Sequence, residues 1–152
     1  MGRYRIIALV SALSAVAVAS GVAQQADTAD VQAFVRQYTA AINRADASAI
    51  MEMYARVPEV TSADNLDITR GWDAIKRDAA SLSENRFRME LGKVDVVALG
   101  PGYALVVAEA SYTFGTPQGA LRVRGVLTLV LEKIGGAWKV IHDHSSSQSP
   151  GG

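Results

Sequence analysis

Gly135-Gly136-Ala137-Trp138-Lys139-Val140-Ile141-His142-Asp143-His144-Ser145-Ser146-Ser147 is an apolar run at period two that turns polar at its far end. A diglycine turns the chain into it, and Trp, Val and Ile favour a pleated strand. The run holds both histidines of the chain, with a carboxylate between them and hydroxyls after them. Side chains alternate across a strand, so Trp138, Val140, His142, His144 and Ser146 share one face. Lys139, Ile141, Asp143 and Ser145 share the other. In a regular strand the histidines and Asp143 therefore cannot enter one pocket, and a bulge at Ile141 or His142 reverses the assignment.

Working back from this run, the same period continues. Arg86 to Leu99, Tyr103 to Phe114 and Leu121 to Ile134 read as strands, separated by Gly100-Pro101-Gly102 and Gly115-Thr116-Pro117-Gln118-Gly119. Strands this long, against a usual length of about 5–6 residues, predict a strongly curved sheet. Ahead of them the period is helical. Val31, Phe34, Val35, Tyr38, Ala41 and Ile42 form one apolar stripe behind the capping residues Asp27-Thr28-Ala29-Asp30. Asn43-Arg44-Ala45-Asp46 breaks that helix, and Asp46 or Ser48 caps a second, short one carrying Ile50, Met51, Met53 and Tyr54. Pro58 ends the region. Val60 to Ile68 leaves room for a short strand pair or a loop. Trp72, Ile75, Ala79 and Leu82 mark a third helix beginning at Asp73. The order predicts an α+β domain: three N-terminal helices on the concave face of a cone-shaped antiparallel sheet of four long strands, with short ones added at most. A pocket between sheet and helices follows from that geometry.

The first residues do not read as domain structure. Arg3 and Arg5 precede the uncharged run Ile6 to Ala19, and Gly21 and Ala23 put small residues before Gln24. This is the pattern of a cleaved signal peptide over residues 1–23, with a periplasmic or secreted product beginning at Gln24. The alternative is a retained anchor, although the apolar run is short of the roughly 20 residues that span a bilayer. Residues 24–147 then form one domain and 148–152 a flexible tail. Without Arg3 and Arg5 the chain has 13 basic and 15 acidic residues. Neither nucleic acid nor an anionic membrane surface is an expected partner, and cleavage would leave no stable membrane association. The absence of cysteine excludes thiol nucleophiles, disulfides and cysteine metal sites.

Several segments resemble the SnoaL-like, ketosteroid-isomerase-like branch of the nuclear transport factor 2-like superfamily. They are Asn43-Arg44-Ala45-Asp46, Arg70-Gly71-Trp72-Asp73-Ala74-Ile75, Val94-Asp95-Val96-Val97-Ala98-Leu99-Gly100, and above all Gly136 to Ser146. The last is also similar to the end of the association domain of calcium/calmodulin-dependent kinase II, which has a Trp, a His-x-His and a Ser at matching spacing. The resemblance implies a cone-shaped fold, an apolar pocket and homodimerisation through the outer sheet face. It does not imply one activity, because relatives include isomerases, cyclases, dehydratases, hydrolases and assembly modules. In the association domain the residue matching Ser145 lines the pocket. Carried over, this sends Asp143, Ile141 and Ser145 inward, and Trp138, His142 and His144 to a dimer interface.

Asp143 is then the candidate general base, since a carboxylate in an apolar cone has its pKa raised by desolvation. The bland alternative is a solvated carboxylate or one paired with Arg122 or Arg124. Tyr38 and Tyr54 are candidate hydrogen-bond donors to a substrate carbonyl, though their spacing also suits plain core. Trp72, Ala108, Tyr112 and Leu129 complete the expected pocket. His142 and His144 could share a metal only with a carboxylate such as Glu109 or Glu132, and an interface role suits them better, so no metal is expected. Ser145-Ser146-Ser147 lacks the elbow and partners of a serine hydrolase. Three functions remain open. The leading one is an exported protein holding a small apolar or aromatic molecule. The second is a cofactor-independent isomerase, cyclase or dehydratase. The third is an assembly module.

Overall fold

The computed structural model describes residues 15–82 and 86–148, with side chains from residue 27 onward. Most of the expected signal segment, residues 1–14, and the tail from residue 149 lie outside the described residues. Helix α1 spans Ala15–Asn43. It begins upstream of Asp27-Thr28-Ala29-Asp30, which lies inside the helix rather than capping it. The residues ahead are rich in alanine and contain no proline, so nothing stops the helix there. Asp27 instead accepts an ion pair from Lys133 Nζ at 3.0 Å. The predicted stripe faces the core as expected: Val31, Phe34, Val35, Tyr38, Ala41 and Ile42 are all buried.

The Asn43-Arg44-Ala45-Asp46 break is built from hydrogen bonds. Ala45 takes a left-handed conformation at φ 51°. The Ala45 and Asp46 amides donate to the Ile42 and Ala41 carbonyls at 2.8 and 3.1 Å, which closes the helix end. Asn43 reaches the first long strand and exchanges two 2.8 Å hydrogen bonds with the Met89 backbone. Asp46 then caps α2, Ala47–Glu52, accepting from the Ala49 amide. The chain after α2 lies along the last strand: the Ala55 amide donates to the Val140 carbonyl and the Val140 amide to the Met53 carbonyl. Two short strands follow, β1 (Thr61–Asp64) and β2 (Asp67–Arg70), then α3 (Trp72–Ser81). The four long strands are β3 (Arg88–Gly100), β4 (Tyr103–Thr116), β5 (Gly119–Ile134) and β6 (Ala137–Ser147). Among the described residues no helix is long and apolar enough to cross a membrane.

The strands form one curved, unclosed sheet in the order β2-β1-β6-β5-β4-β3. The four-strand meander is antiparallel as predicted. The short pair forms where Val60 to Ile68 left room for one, and β1 joins β6 in parallel, with Thr61 opposite His142 and Ser62 opposite Asp143. Extra residues interrupt the register at Gly92-Lys93 and Leu99 in β3 and at Ile141 in β6. Such bulges bend a strand and increase its twist, which is how long strands wrap into a cone. Val106, Leu129, Leu131 and Val140 point inward and are fully buried against the helices. Each contributes about 1.5–3 kcal/mol through removal of apolar surface from water.

Gly125 of β5 pairs with Ala110 on β4 and Ser147 on β6. A Cβ added there would lie 2.0 Å from the Ser146 carbonyl oxygen and 2.7 Å from the Tyr112 ring. Backbone cannot yield cheaply, so Gly125→Ala is expected to destabilise the domain by about 3 kcal/mol or more in urea unfolding. Stability within 0.5 kcal/mol of wild type, on the order of experimental scatter, would refute this packing.

Candidate active site

The bulge at Ile141 decides which side chains meet. Val130 pairs with His142 and Leu131 with Val140, so Ile141 has no partner on β5. Beyond it, Asp143 and Ser145 face inward and His142 and His144 outward, as expected. Before it, the expected faces are reversed: Trp138 and Val140 are buried in the core and Lys139 turns outward. Trp138, expected at a dimer interface, instead packs inside the protomer with Lys133 Nζ 5.3 Å from its ring centre. Ile141, expected in the pocket, is the extra residue and does not line it.

Asp143 is the only charged residue buried among the described residues. Its Oδ1 accepts from the Tyr54 hydroxyl at 2.9 Å and its Oδ2 from the Ser62 hydroxyl at 3.1 Å. Neither Arg122 nor Arg124 is its partner; Arg122 pairs with Glu90 at 2.7 Å. Tyr54 is held by the backbone pairing of its neighbours with β6, and Ser62 by the parallel pairing of β1. Tyr38 and Tyr54 hydroxyl oxygens are 3.0 Å apart. Tyr54 has one proton and gives it to Asp143, so Tyr38 donates to Tyr54. A directional relay, Tyr38 to Tyr54 to Asp143, results.

Burial pushes the Asp143 carboxyl up to about 6, against the opposing pull of the Tyr54 and Ser62 hydrogen bonds. Asp64 adds like charge in the same direction. Burial likewise pushes the Tyr38 and Tyr54 phenols far above their ordinary value, reinforced by the Asp143 charge. Both tyrosines remain neutral donors at any physiological pH.

These groups stand in the wall of a cavity of about 530 Å³. That volume suits a small organic ligand. Phe87 stacks on Tyr112 at 5.8 Å and tilts against Phe114 at 5.2 Å, making one aromatic wall. The mouth carries Asp64, Asp67 and Asp78, and among the described residues no Lys, Arg or His lines the cavity. Of the six residues expected to line it, Tyr112 and Ser145 do. Ala108 and Leu129 are fully buried beneath it in the core. Trp72 lies in a separate depression on the other side of Tyr54. Phe87 and Phe114 are also part of the wall. Ser62 was missed, because only the parallel register of a four-residue strand brings it to Asp143. On the outer side, the Thr61 hydroxyl and His142 Nδ1 are 2.7 Å apart. His142 is held below its ordinary pKa by partial burial and then by His144. Among the described residues no group of three His, Asp or Glu converges as a metal site would require.

A curved, unclosed sheet with helices on its concave face and one carboxylate buried in its wall defines an α+β cone fold. A SnoaL-like domain model matches residues 31–150, and the chain belongs to that family. Solved structures agree in fold. An uncharacterised protein with a cystatin-like fold from Caulobacter vibrioides is 25% identical, with a TM-score of 0.69 over 81% of this chain and 90% of its own. A nuclear transport factor 2-like protein from Salmonella enterica serovar Typhimurium is 18% identical, with a TM-score of 0.72 over 88% and 96%. A candidate dehydratase of the same superfamily from Streptomyces avermitilis is 18% identical, with a TM-score of 0.73 over 83% and 99%. No curated protein matches the sequence.

The Asp143 carboxyl has an ordinary value of 3.8 and is raised to about 6 in the fold. The folded state thus holds its proton more tightly than the unfolded chain. Its contribution is fully present below about pH 4 and is lost as pH climbs through 6, a change of about 3 kcal/mol. Asp143→Asn removes the titration while keeping an acceptor for Tyr54. Its stability relative to wild type is expected to rise by about 2–3 kcal/mol between pH 4 and pH 8, read by denaturant unfolding. A constant difference across that range would contradict the buried assignment.

Proposed function

We propose that this chain binds a small, largely apolar carbonyl compound in the cone and moves a proton on it, without a cofactor. The observation that carries the reading is Asp143: a buried carboxylate in the wall of an open cavity, backed by a tyrosine relay. A carboxylate with a pKa of about 6 is ionised at neutral pH and still basic enough to take a proton from carbon next to a carbonyl. The C–H proton passes to Asp143 and the electron pair moves onto the carbonyl oxygen. Neutral Asp143 holds the Tyr54 hydrogen bond more weakly. The Tyr54 hydroxyl, with Tyr38 donating behind it, then turns to the new oxyanion. Return of the proton to another carbon of a conjugated enolate gives isomerisation; where a β-hydroxyl is present, the enolate pair instead forms the C=C bond as the C–O bond breaks, and Asp143 returns its proton to the departing oxygen, releasing water. The aromatic wall supports an aromatic or cyclic ligand, and the acidic mouth disfavours an anionic one. The Streptomyces avermitilis relative, itself a candidate dehydratase, is consistent with that class.

The test is proton exchange. Cyclic and aryl ketones such as cyclohexanone and 1-tetralone are incubated with protein in D2O, and deuterium uptake beside the carbonyl is followed by NMR. Expected is protein-dependent uptake that rises with pH through about 6 and falls at least 100-fold in Asp143→Asn, the scale typical of a lost general base. Tyr54→Phe should slow it less. Ligand binding without exchange would leave a binding pocket and reject the catalytic reading.

A second reading, self-association, is supported by the outer sheet face. Val97 and Val107 on adjacent strands are 49% and 38% exposed, and Val126 on β5 is 43% exposed. His142 and His144 border this patch on β6. We propose a homodimer through it. Sedimentation equilibrium should give twice the chain mass, reduced to one chain by Val107→Asp. A monomeric wild type would reject it.

A further inference from the structure

We propose a second ligand site on this domain, taking an oxyanion, a carboxylate or phosphate group on a small apolar body. A cavity of about 590 Å³ lies between α2, α3 and the β5–β6 hairpin. Its lining includes Trp72, which holds the Arg56 guanidinium 4.7 Å and the Lys76 ammonium 5.2 Å from its ring centre. Lys139 adds a third cation from β6, its Nζ donating to the Glu52 carbonyl. Trp72 is itself fixed, its indole N–H donating to the Met51 carbonyl at 3.4 Å.

The charge balance is what calls for a ligand. Trp72, Lys76 and Ala80 recur every four residues along α3, so they present one face to the cavity. The indole thus gathers two like charges within about 10 Å of each other. Among the described residues, the ion pairs made by side chains lie elsewhere, at Lys93, Arg122 and Lys133. Only Glu52 opposes the three cations in this lining. Gathering unpaired cations in a concavity raises the local concentration of anions and provides forked donors suited to an oxyanion. Met51 and Ile134 supply apolar walls for the body of the molecule. The inner cavity has the opposite character, with four aspartates and, among the described residues, no Lys, Arg or His. Tyr54 lines both, its hydroxyl reaching Asp143 on the inner side. The two linings therefore differ in charge, the inner one disfavouring the anion that this one would attract, and this site stands independently of the proton-transfer reading.

The experiment is an NMR titration of the full chain with benzoate and, separately, phenyl phosphate, against sodium chloride at matched ionic strength. The Trp72 indole resonance, assigned with Trp72→Phe, and the amides of residues 47–56 and 72–80 should shift and saturate with at least one of the two probes. Arg56→Ala with Lys76→Ala should weaken binding at least tenfold, while the distant Lys93→Ala should not. The exposed positions of Arg56 and Lys76 keep these variants folded, which their amide spectra check. Shifts reproduced by chloride, shifts confined to the surroundings of Asp143, no saturation with either probe, or undiminished binding in the double variant would each overturn the site.

Discussion

Ile141 is one residue too many for the strand that carries it, and the inner cavity depends on that surplus. Trp138 and Val140 must face inward to close the core beneath α1 and α2. By simple alternation their strand would then send Asp143 out to the sheet's other face and His142 and His144 into the cone. The unpaired Ile141 resets the count, so an apolar half and a polar half of β6 both face inward. The cost is a local break in the ladder. It is offset by the pairing of Tyr54 and its neighbours with Val140 on one edge of β6 and the parallel addition of β1 just beyond.

Those two pairings make the bulge chemically useful. The first brings the Tyr54 hydroxyl to one oxygen of Asp143, and the second brings Ser62 to the other. A buried carboxylate without such donors would sit protonated at neutral pH, and one with more would be too weak a base. Two hydroxyl donors against deep burial hold it between these limits, at about 6. The relay through Tyr38 extends the same network into α1, so the helix that closes the cone also orients its carboxylate.

Much of this was legible in the residues. The α1 stripe, the α2 cap at Asp46 and the four long strands follow from periodicity and turn chemistry, which are local properties. Asp143, Tyr38 and Tyr54 were legible as polar groups within apolar patterns. The position of Trp138 was not, because a bulge is specified by the fit of a whole strand to its neighbours and has no residue signature at Ile141. Ser62 was hidden for the same reason: a parallel partner some eighty residues away leaves no trace in local spacing. The start of α1 was misread because aspartates that can cap a helix can equally serve inside one, here paired with Lys133.

Desolvation dominates at Asp143 and leaves it a base poised near neutrality. The direct measurement is a carbon-13 titration of its side-chain carboxyl resonance in the folded protein, assigned with Asp143→Asn. A midpoint near 6 is predicted. A midpoint at or below about 4, the ordinary range for a solvated aspartate, would mean that burial does not govern this carboxylate.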